Sequence, residues 1–445
     1  MNTARLLWTC WFPTPRFFAA VGFAAFAFVV AFFIPSATPL AAGFLTLTLA
    51  LTLADSWILF RGEATVRREL AERFSNGDPN DVALVVANYY PVAVRLHIVE
   101  ELPFQFQNRD FSITLSVGPG AAKRAAYSLT PVERGVYRFG FSIVFASTRI
   151  GLAKRKFSGS EPCDVAVYPS FFQMRKYELI AAGRVSNDYG VKKTRRLGHT
   201  MEFEQIRPYV FGDDYRTVNW KATARKSDLM VNQYRDERSQ PVYCFIDLGR
   251  PMQMPFGGMT LLDYAVNSAL VMANIVLLKE DRFGLCTFST EPVDFLPADR
   301  KPGTLNKVLD TLYRQTTAFP ESDFEALYVA TRRRVVQRSL ILLYSNFETL
   351  TGMRRNLPYL RNIARNHLLV VVFFQNDGLE ELASRPADNV EKIYVRTMAE
   401  RLAMEKRLIV RELESYGIQA LLCPHGQLSA HTVNRYLELK SRGRI

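Results

Sequence analysis

The 445-residue chain has only five histidines and five cysteines, and neither forms a pattern. Cys10, Cys163, Cys244, Cys286 and Cys423 include no C-x-x-C pair. That removes the usual zinc-ribbon and thiol-redox spacings and reads as free thiols in a reducing compartment. Cys423 and His425 share the loop "CPHG", but two ligands do not make a zinc site, and the pair reads as loop packing. No G-x-x-x-x-G-K-[ST] occurs, so the chain carries no phosphate loop of its own. Internal repeats and low-complexity segments are also missing. Charge is absent in one place above all: from Phe17 to Phe33, "FFAAVGFAAFAFVVAFF", there is no charged or amide side chain.

A second apolar run, Leu40 to Phe60, is interrupted only by Asp55 and scattered hydroxyls, and the gap "IPSATP" between the runs holds two prolines. Each run with its flanks has about the twenty residues that a membrane-spanning helix needs. The second run follows too closely for the first to be a cleaved leader. The expectation is a transmembrane hairpin over 1–63. Arg5 and Arg16 precede the first run, Arg61, Arg67, Arg68 and Arg73 follow the second, and the turn between them has no charge, which puts both termini in the cytoplasm of a bacterial inner membrane. Trp8, Trp11 and Trp57 are the candidate interfacial anchors. The net charge of +13 suits an anionic leaflet. Nucleic acid is not expected, because the runs Lys192-Lys193, Arg195-Arg196 and Arg332-Arg333-Arg334 are short and accompany no nucleic-acid motif.

Beyond the hairpin the texture changes twice. Residues 64–170 alternate, as in "DVALVVANYY", "VAVRLHIVEEL", "FSITLSV" and "GVYRFGFSIVFAS", and turn residues separate the runs. Seven or eight short strands at this spacing predict a β-sandwich. Residues 171–240 form a connector that begins with helical spacing in "SFFQMRKYELIAAGRV" and becomes dense in ionic and aromatic groups. Residues 241–445 alternate apolar strands ("VYCFID", "RFGLCTFS", "SLILLYS", "LLVVVFF", "IQALLC") with amphipathic helices. Strands apolar on both faces and separated by helices predict an α/β domain with a mostly parallel sheet. The expected fold class is therefore α+β and multidomain.

In such a sheet the functional loops lie at the carboxyl ends of the strands. The first strand ends in Asp247, followed by "DLGRPM", and another ends in "SNFE", Ser345 to Glu348. This arrangement resembles the von Willebrand factor type A fold. Many members of that fold hold a divalent cation through an Asp-x-Ser-x-Ser loop, a threonine and a further aspartate. Here Gly249 and Pro251 stand at the serine positions and Asn346 at the second aspartate. Ser322 and Thr304 are alternative second-loop hydroxyls, and Glu348 is a distant helper to Asp247. No metal or other cofactor is expected, and Asp247 is expected to cap its own loop.

The connector contains "RPYVFGDDYRTVNWKATAR", Arg207 to Arg225. Glu202-Phe203, Arg207, Tyr209, Gly212-Asp213-Asp214, Arg216, Asn219-Trp220, Thr223-Ala224-Arg225 and Glu237 together resemble the signature of a bacterial family known as domain of unknown function fifty-eight. The hairpin, the β-domain with Arg134-Gly135-x-Tyr137, "VYP" (Val167 to Pro169) and the loop "DLGRPM" extend the resemblance over nearly the whole chain. The arginines are planar donors for carboxylates, and Tyr209, Tyr215 and Trp220 are bodies against which ionic groups lose water. An interdomain latch is the favoured use of the stretch, ahead of a binding surface for an acidic partner or a nucleotide. Catalysis by Asp213 and Asp214 ranks last, because neighbouring carboxylates in one turn diverge and no nucleophile accompanies them, His199 reading as a solvated loop residue.

The family resemblance implies partnership with a MoxR-type AAA+ ATPase and a client protein. The expected function is thus a membrane-anchored cytosolic scaffold, not an enzyme. Its interaction residues would be those of the signature together with Asp247 and Asn346. The alternative is a metal-dependent hydrolase or transferase acting on an envelope precursor, built from Asp213, Asp214 and Asp247.

Overall fold

The computed structural model describes residues 10–181, 201–211, 213–236, 239–375, 377–384, 386 and 389–445. Arg5, Trp8, the Lys192–Arg196 basic run, His199, Gly212 and Glu237 lie outside the described residues. The chain forms two compact units, Met1–Tyr168 and Pro169–Ile445.

The first unit opens with two helices, Pro15–Phe33 and Thr38–Arg61, joined by the short turn Pro35–Ala37. Thr14 caps the first by accepting from the Phe17 amide, and Pro15 takes the first helical position, where its missing N–H costs nothing. Both helices are apolar on all sides and nearly uncovered, with 11% and 17% of their spanning windows buried. A third helix, Leu261–Leu278, is also long and apolar enough to span, but 83% of its window is buried inside the second unit. Length and composition cannot separate these cases; burial can. The N-terminal pair has the form of membrane spans, whereas Leu261–Leu278 is a core helix.

Residues after Arg61 build three sheets. Ala64–Glu69, Asn80–Asn88 and Ala122–Leu129 form one antiparallel sheet. Val94–Glu100, Ser112–Val117, Ser142–Ser147 and Ala153–Ser158 form another, extended at its edge by Trp11–Pro13 from ahead of the first helix. Inward residues of the two, such as Val66, Leu84, Val86, Leu96, Ile98 and Val144, share one core. The third sheet pairs Cys163–Tyr168 with Gly135–Phe139 and, in parallel, with Arg73–Ser75. The Trp11–Pro13 edge had no legible signal, since three residues ending in proline are too few to alternate.

One side chain fixes the helices to these strands. Asp55, in the second helix, is fully buried. Its carboxylate accepts from the amides of Leu152 and Ala153, each at 2.9 Å, and from the Thr148 hydroxyl. Thr14 donates to the Gly151 carbonyl at 2.6 Å, so both helices grip the same loop. Trp11 donates its indole N–H to Ser56 at 2.9 Å and is half-buried, while Trp57 stays exposed with the Arg61 guanidinium 4.7 Å above its ring. Of the two candidate anchors among the described residues, Trp11 and Trp57, the second has the form of an interfacial anchor.

In the second unit, helix Phe171–Ala181 lies on helix Leu261–Leu278 and is held by the Ser170 amide on Asn267 at 2.8 Å. The main sheet comprises β1 (Pro241–Asp247), β2 (Arg282–Phe288), β3 (Pro292–Asp299), β4 (Leu340–Tyr344), β5 (Leu368–Gln375) and β6 (Gln419–Pro424), in the order β3-β2-β1-β4-β5-β6. All neighbours are parallel except the antiparallel edge strand β3. The sheet is thus mixed. β3, half-exposed and containing two prolines, lacks the continuous apolar run that marks the others.

Val242, Cys244 and Ile246 of β1 enter the core beneath Leu261–Leu278 and Leu428–Ser441. Tyr243 and Phe245 enter the opposite core with Phe324–Arg334, Leu350–Asn366 and Val390–Ser415. Burial on both faces is why β1 reads as an apolar run without alternation. His425 follows β6 and packs between the rings of Phe256 and Tyr264, 5.5 and 5.1 Å away.

We expect Asp55→Ala to lower the stability of the full chain in detergent by about 3 kcal/mol, because three donors lose their acceptor inside the protein. Asp55→Asn should lose less, since one acceptor oxygen remains. Thermal unfolding followed by tryptophan fluorescence reads both.

Candidate functional site

The signature stretch folds as the head of a hairpin. Strands Met201–Pro208 and Met230–Asp236 pair antiparallel, and the described residues 209–211 and 213–229 belong to the cap between them. Arg207 grips Asp213 with two parallel hydrogen bonds, Nη1 to Oδ2 at 2.9 Å and Nη2 to Oδ1 at 2.6 Å. The Val210 amide adds a donor to Asp213 Oδ2 at 2.9 Å. The Arg207 guanidinium, then this amide, hold the Asp213 carboxyl below the usual carboxylate range.

Asp214 turns the other way and accepts from the Arg216 amide at 3.0 Å, capping the turn Tyr215–Thr217. Asn219 caps helix Trp220–Lys226 through the Ala222 amide, and its own amide group donates to Asn232 on the second strand at 2.8 Å. Thr223 accepts from the Met230 amide at 3.0 Å, and the Tyr209 amide bonds the Leu229 carbonyl at 2.8 Å. Arg207, Asp213, Asp214, Asn219 and Thr223 thus serve to hold the cap itself.

The aromatic residues do something else. Phe211 is 100% exposed, Tyr215 73% and Trp220 72%. Arg216 lies over the Tyr215 ring at 5.7 Å, and Lys221, Arg225 and Lys226 are exposed on the same cap. The expected latch had Trp220 and Tyr215 shielding ion pairs. Among the described residues of the signature, the side-chain ion pair Arg207–Asp213 is local to the cap, and the Tyr215 and Trp220 rings are exposed. Phe211 was overlooked as a candidate, although an aromatic immediately before a Gly-Asp-Asp turn has little chance of burial.

A second constellation lies where the sheet order reverses, between β1 and β4, outside their carboxyl ends. Asp247 is fully buried there. It accepts from Ser322 at 2.6 Å, from Ser345 at 2.7 Å and from the Gly249 amide at 2.8 Å. Burial pushes its pKa up against the pull of these donors. Ser322 is therefore the hydroxyl at Asp247; Thr304 begins a separate helix, Thr304–Arg314.

The missing serine at position 249 has a steric cause. A Cβ on Gly249 would lie 1.9 Å from the Ser322 hydroxyl and 2.9 Å from Asp247 Oδ1. Asn346 gives its amide oxygen to the Lys406 ammonium at 2.5 Å, and Lys406 also donates to the Phe347 carbonyl at 2.6 Å. Burial drives the Lys406 pKa down to about 8, with Glu348 and Glu405 opposing. Lys406 sits 60 residues beyond Asn346 on helix Val390–Ser415, so no local pattern could have announced it. Asp247, Asn346 and Glu348 line a cleft of about 730 Å³ together with Arg250, Ser322 and Arg355. Among the described residues no group of three His, Cys, Asp or Glu is placed to hold a metal ion.

Residues 205–386 match the family described as "Protein of unknown function DUF58". The uncharacterized protein YeaD of Bacillus subtilis is 24% identical over 177 residues, which cover 38% of this chain and 44% of YeaD. These two matches support the DUF58 family, and the chain spans less than half the length of the relative it matches. Among solved structures, the conserved hypothetical protein BatB of Bacteroides thetaiotaomicron aligns with a TM-score of 0.30 at 10% identity, covering 46% of this chain and 99% of that one. A CARDB domain from Pyrococcus furiosus aligns with a TM-score of 0.17 at 14% identity, covering 24% of this chain and 93% of that domain. Neither score is high enough to say more.

Gly249→Ala should cost about 2 kcal/mol through overpacking against Ser322, read by thermal melting. Trp220→Ala should change stability by no more than about 0.5 kcal/mol, as an exposed substitution does. Lys406 should titrate near 8 when followed by nitrogen-detected NMR. Its pKa lies below the unfolded value, so the unfolded chain takes up that proton first. Stability should then fall as the pH drops from about 10 to about 8.

Proposed function

We propose that this chain is a membrane-anchored scaffold that recruits a partner protein through the cap of the signature hairpin. The observation that carries this reading is the exposure of Phe211, Tyr215 and Trp220 on a cap whose own polar groups are already engaged. Aromatic and arginine side chains held at a surface are the usual anchors of protein interfaces. Arg216, Lys221, Arg225 and Lys226 outnumber Asp214 and Asp228 around them once Arg207 and Asp213 have neutralised each other, which favours an acidic counterpart. Through the family resemblance that counterpart is a MoxR-type AAA+ ATPase, with its client as the third member of the assembly. Any nucleotide hydrolysis then belongs to the partner.

The C-terminal unit is von Willebrand factor type A-like in this reading. The parallel order β2-β1-β4-β5-β6 and the aspartate at the reversal point support that assignment. The strand-tip cleft works without a resident metal: Asp247 is closed by two hydroxyls and an amide, and Lys406 already supplies a positive charge at Asn346. The arginines flanking the helix pair support a cytoplasmic placement of both termini at a bacterial inner membrane.

Crosslinking of the full chain in source membranes, followed by capture, should recover a MoxR-type ATPase. Trp220→Ala and Phe211→Ala should reduce that capture by about tenfold or more, the effect of losing an interfacial aromatic anchor. Undiminished capture by both variants would remove the cap from the interface. Micromolar magnesium affinity that disappears in Asp247→Ala would transfer the weight to a metal-dependent hydrolase.

A further inference from the structure

The membrane-proximal end of the first unit contains a cleft that recruitment of a protein partner leaves unused. Its volume is about 330 Å³, and Glu63, Thr65, Tyr90, Arg155 and Ser158 are among its lining residues. It begins two residues beyond Arg61, the last residue of helix Thr38–Arg61. The position just past the final apolar turn of a spanning helix lies at the level of lipid headgroups. The exposed Trp57 ring beneath Arg61 marks the same level.

Arg155 is fixed in place there. Its Nη1 donates to the Leu59 and Gly62 carbonyls, both at 2.8 Å, which satisfies acceptors that the helix end leaves open. Its guanidinium stands 5.2 Å from the Phe60 ring centre. Tyr90, buried and bonded to the Leu59 carbonyl at 3.1 Å, closes the wall. A guanidinium has five N–H donors, more than two carbonyls use. Glu63 lines the same cleft, exposed, and makes no ion pair with Arg155. The cleft thus offers a cation and an anion, separately, at headgroup depth.

We propose that this cleft binds the phosphoethanolamine headgroup of a bilayer lipid, with Arg155 taking the phosphate and Glu63 the ammonium. The proposal rests on the reading of the two N-terminal helices as membrane spans. Charge complementarity selects this headgroup. A purely anionic one would set its charge beside Glu63, and a choline would present methyl groups where Glu63 needs N–H donors. Glycerophosphoethanolamine in solution has the same polar chemistry, so lipid and soluble sources must be tested apart.

The full chain would be placed in nanodiscs of phosphatidylcholine mixed with equal phosphatidylethanolamine or phosphatidylglycerol, and the lipids that stay with the extracted protein counted by native mass spectrometry. Phosphatidylethanolamine should be retained about fivefold over phosphatidylcholine, as an exposed ion pair allows. Glu63→Gln should abolish that preference while leaving phosphatidylcholine retention unchanged. Arg155→Lys, which keeps the charge but not the planar fork, should lower retention of both. Equal retention of the two lipids by the unaltered chain, strongest retention of phosphatidylglycerol, or an unchanged preference in Glu63→Gln would each overturn the proposal. So would binding of glycerophosphoethanolamine by the detergent-solubilised chain as tight as that of the lipid. Release of the chain from membranes by alkaline carbonate would overturn the span reading and this proposal with it, whereas a carbonate-resistant chain without lipid preference would overturn the proposal alone.

Discussion

A carboxylate removed from water must be given donors, and this fold is tied together where its buried acids find them. Asp55 takes donors from the loop at Thr148 to Ala153, more than ninety positions away in the chain. Asp247 takes them from Ser322 and Ser345, which join three strand-tip loops. Asp281 accepts from Tyr436 and Lys440, both at 2.5 Å, and so fastens the last helix, Leu428–Ser441, to the turn before β2. In each case one acid fixes two or three elements that are distant in sequence. Loss of the acid leaves several donors stranded inside the protein.

The same logic separates structural from functional groups in the signature. Arg207, Asp213, Asp214, Asn219 and Thr223 spend their hydrogen-bonding capacity on backbone and side chains within the cap. What remains unspent is apolar or cationic: Phe211, Tyr215, Trp220 and the neighbouring lysines and arginines. Exposing three large rings has a solvation cost that local structure does not offset. A surface of this kind is consistent with occupancy by another molecule.

Lys406 belongs to neither class. It sits behind the strand-tip cleft, pulled down in pKa by burial, and satisfies the oxygens of Asn346 and Phe347. Asp247 is likewise pushed toward its neutral form by burial. Glu321 and Arg355 pair at 2.5 Å on the lining of the cleft, and Arg250 lines it as well.

Element types were legible wherever periodicity had enough residues to show itself. The two apolar helices, the alternating strands such as Val94–Glu100, and the doubly buried strands β1, β4 and β5 follow from side-chain pattern alone. Pattern failed for the edge strands Trp11–Pro13 and β3, which are short or proline-containing, and for the hairpin that carries the signature, whose polar sequence has no core face to reveal. The sequence by itself determined which segments are helix or strand and which residue types are available at Asp247 and in the cap. Only the tertiary structure decided that Ser322 rather than Thr304 reaches Asp247, that Lys406 answers Asn346, that Leu261–Leu278 is buried while two other long apolar helices are not, and that Trp220 stands in solvent. Those outcomes depend on which donors and apolar faces meet across tens of residues, and sequence spacing does not encode such meetings.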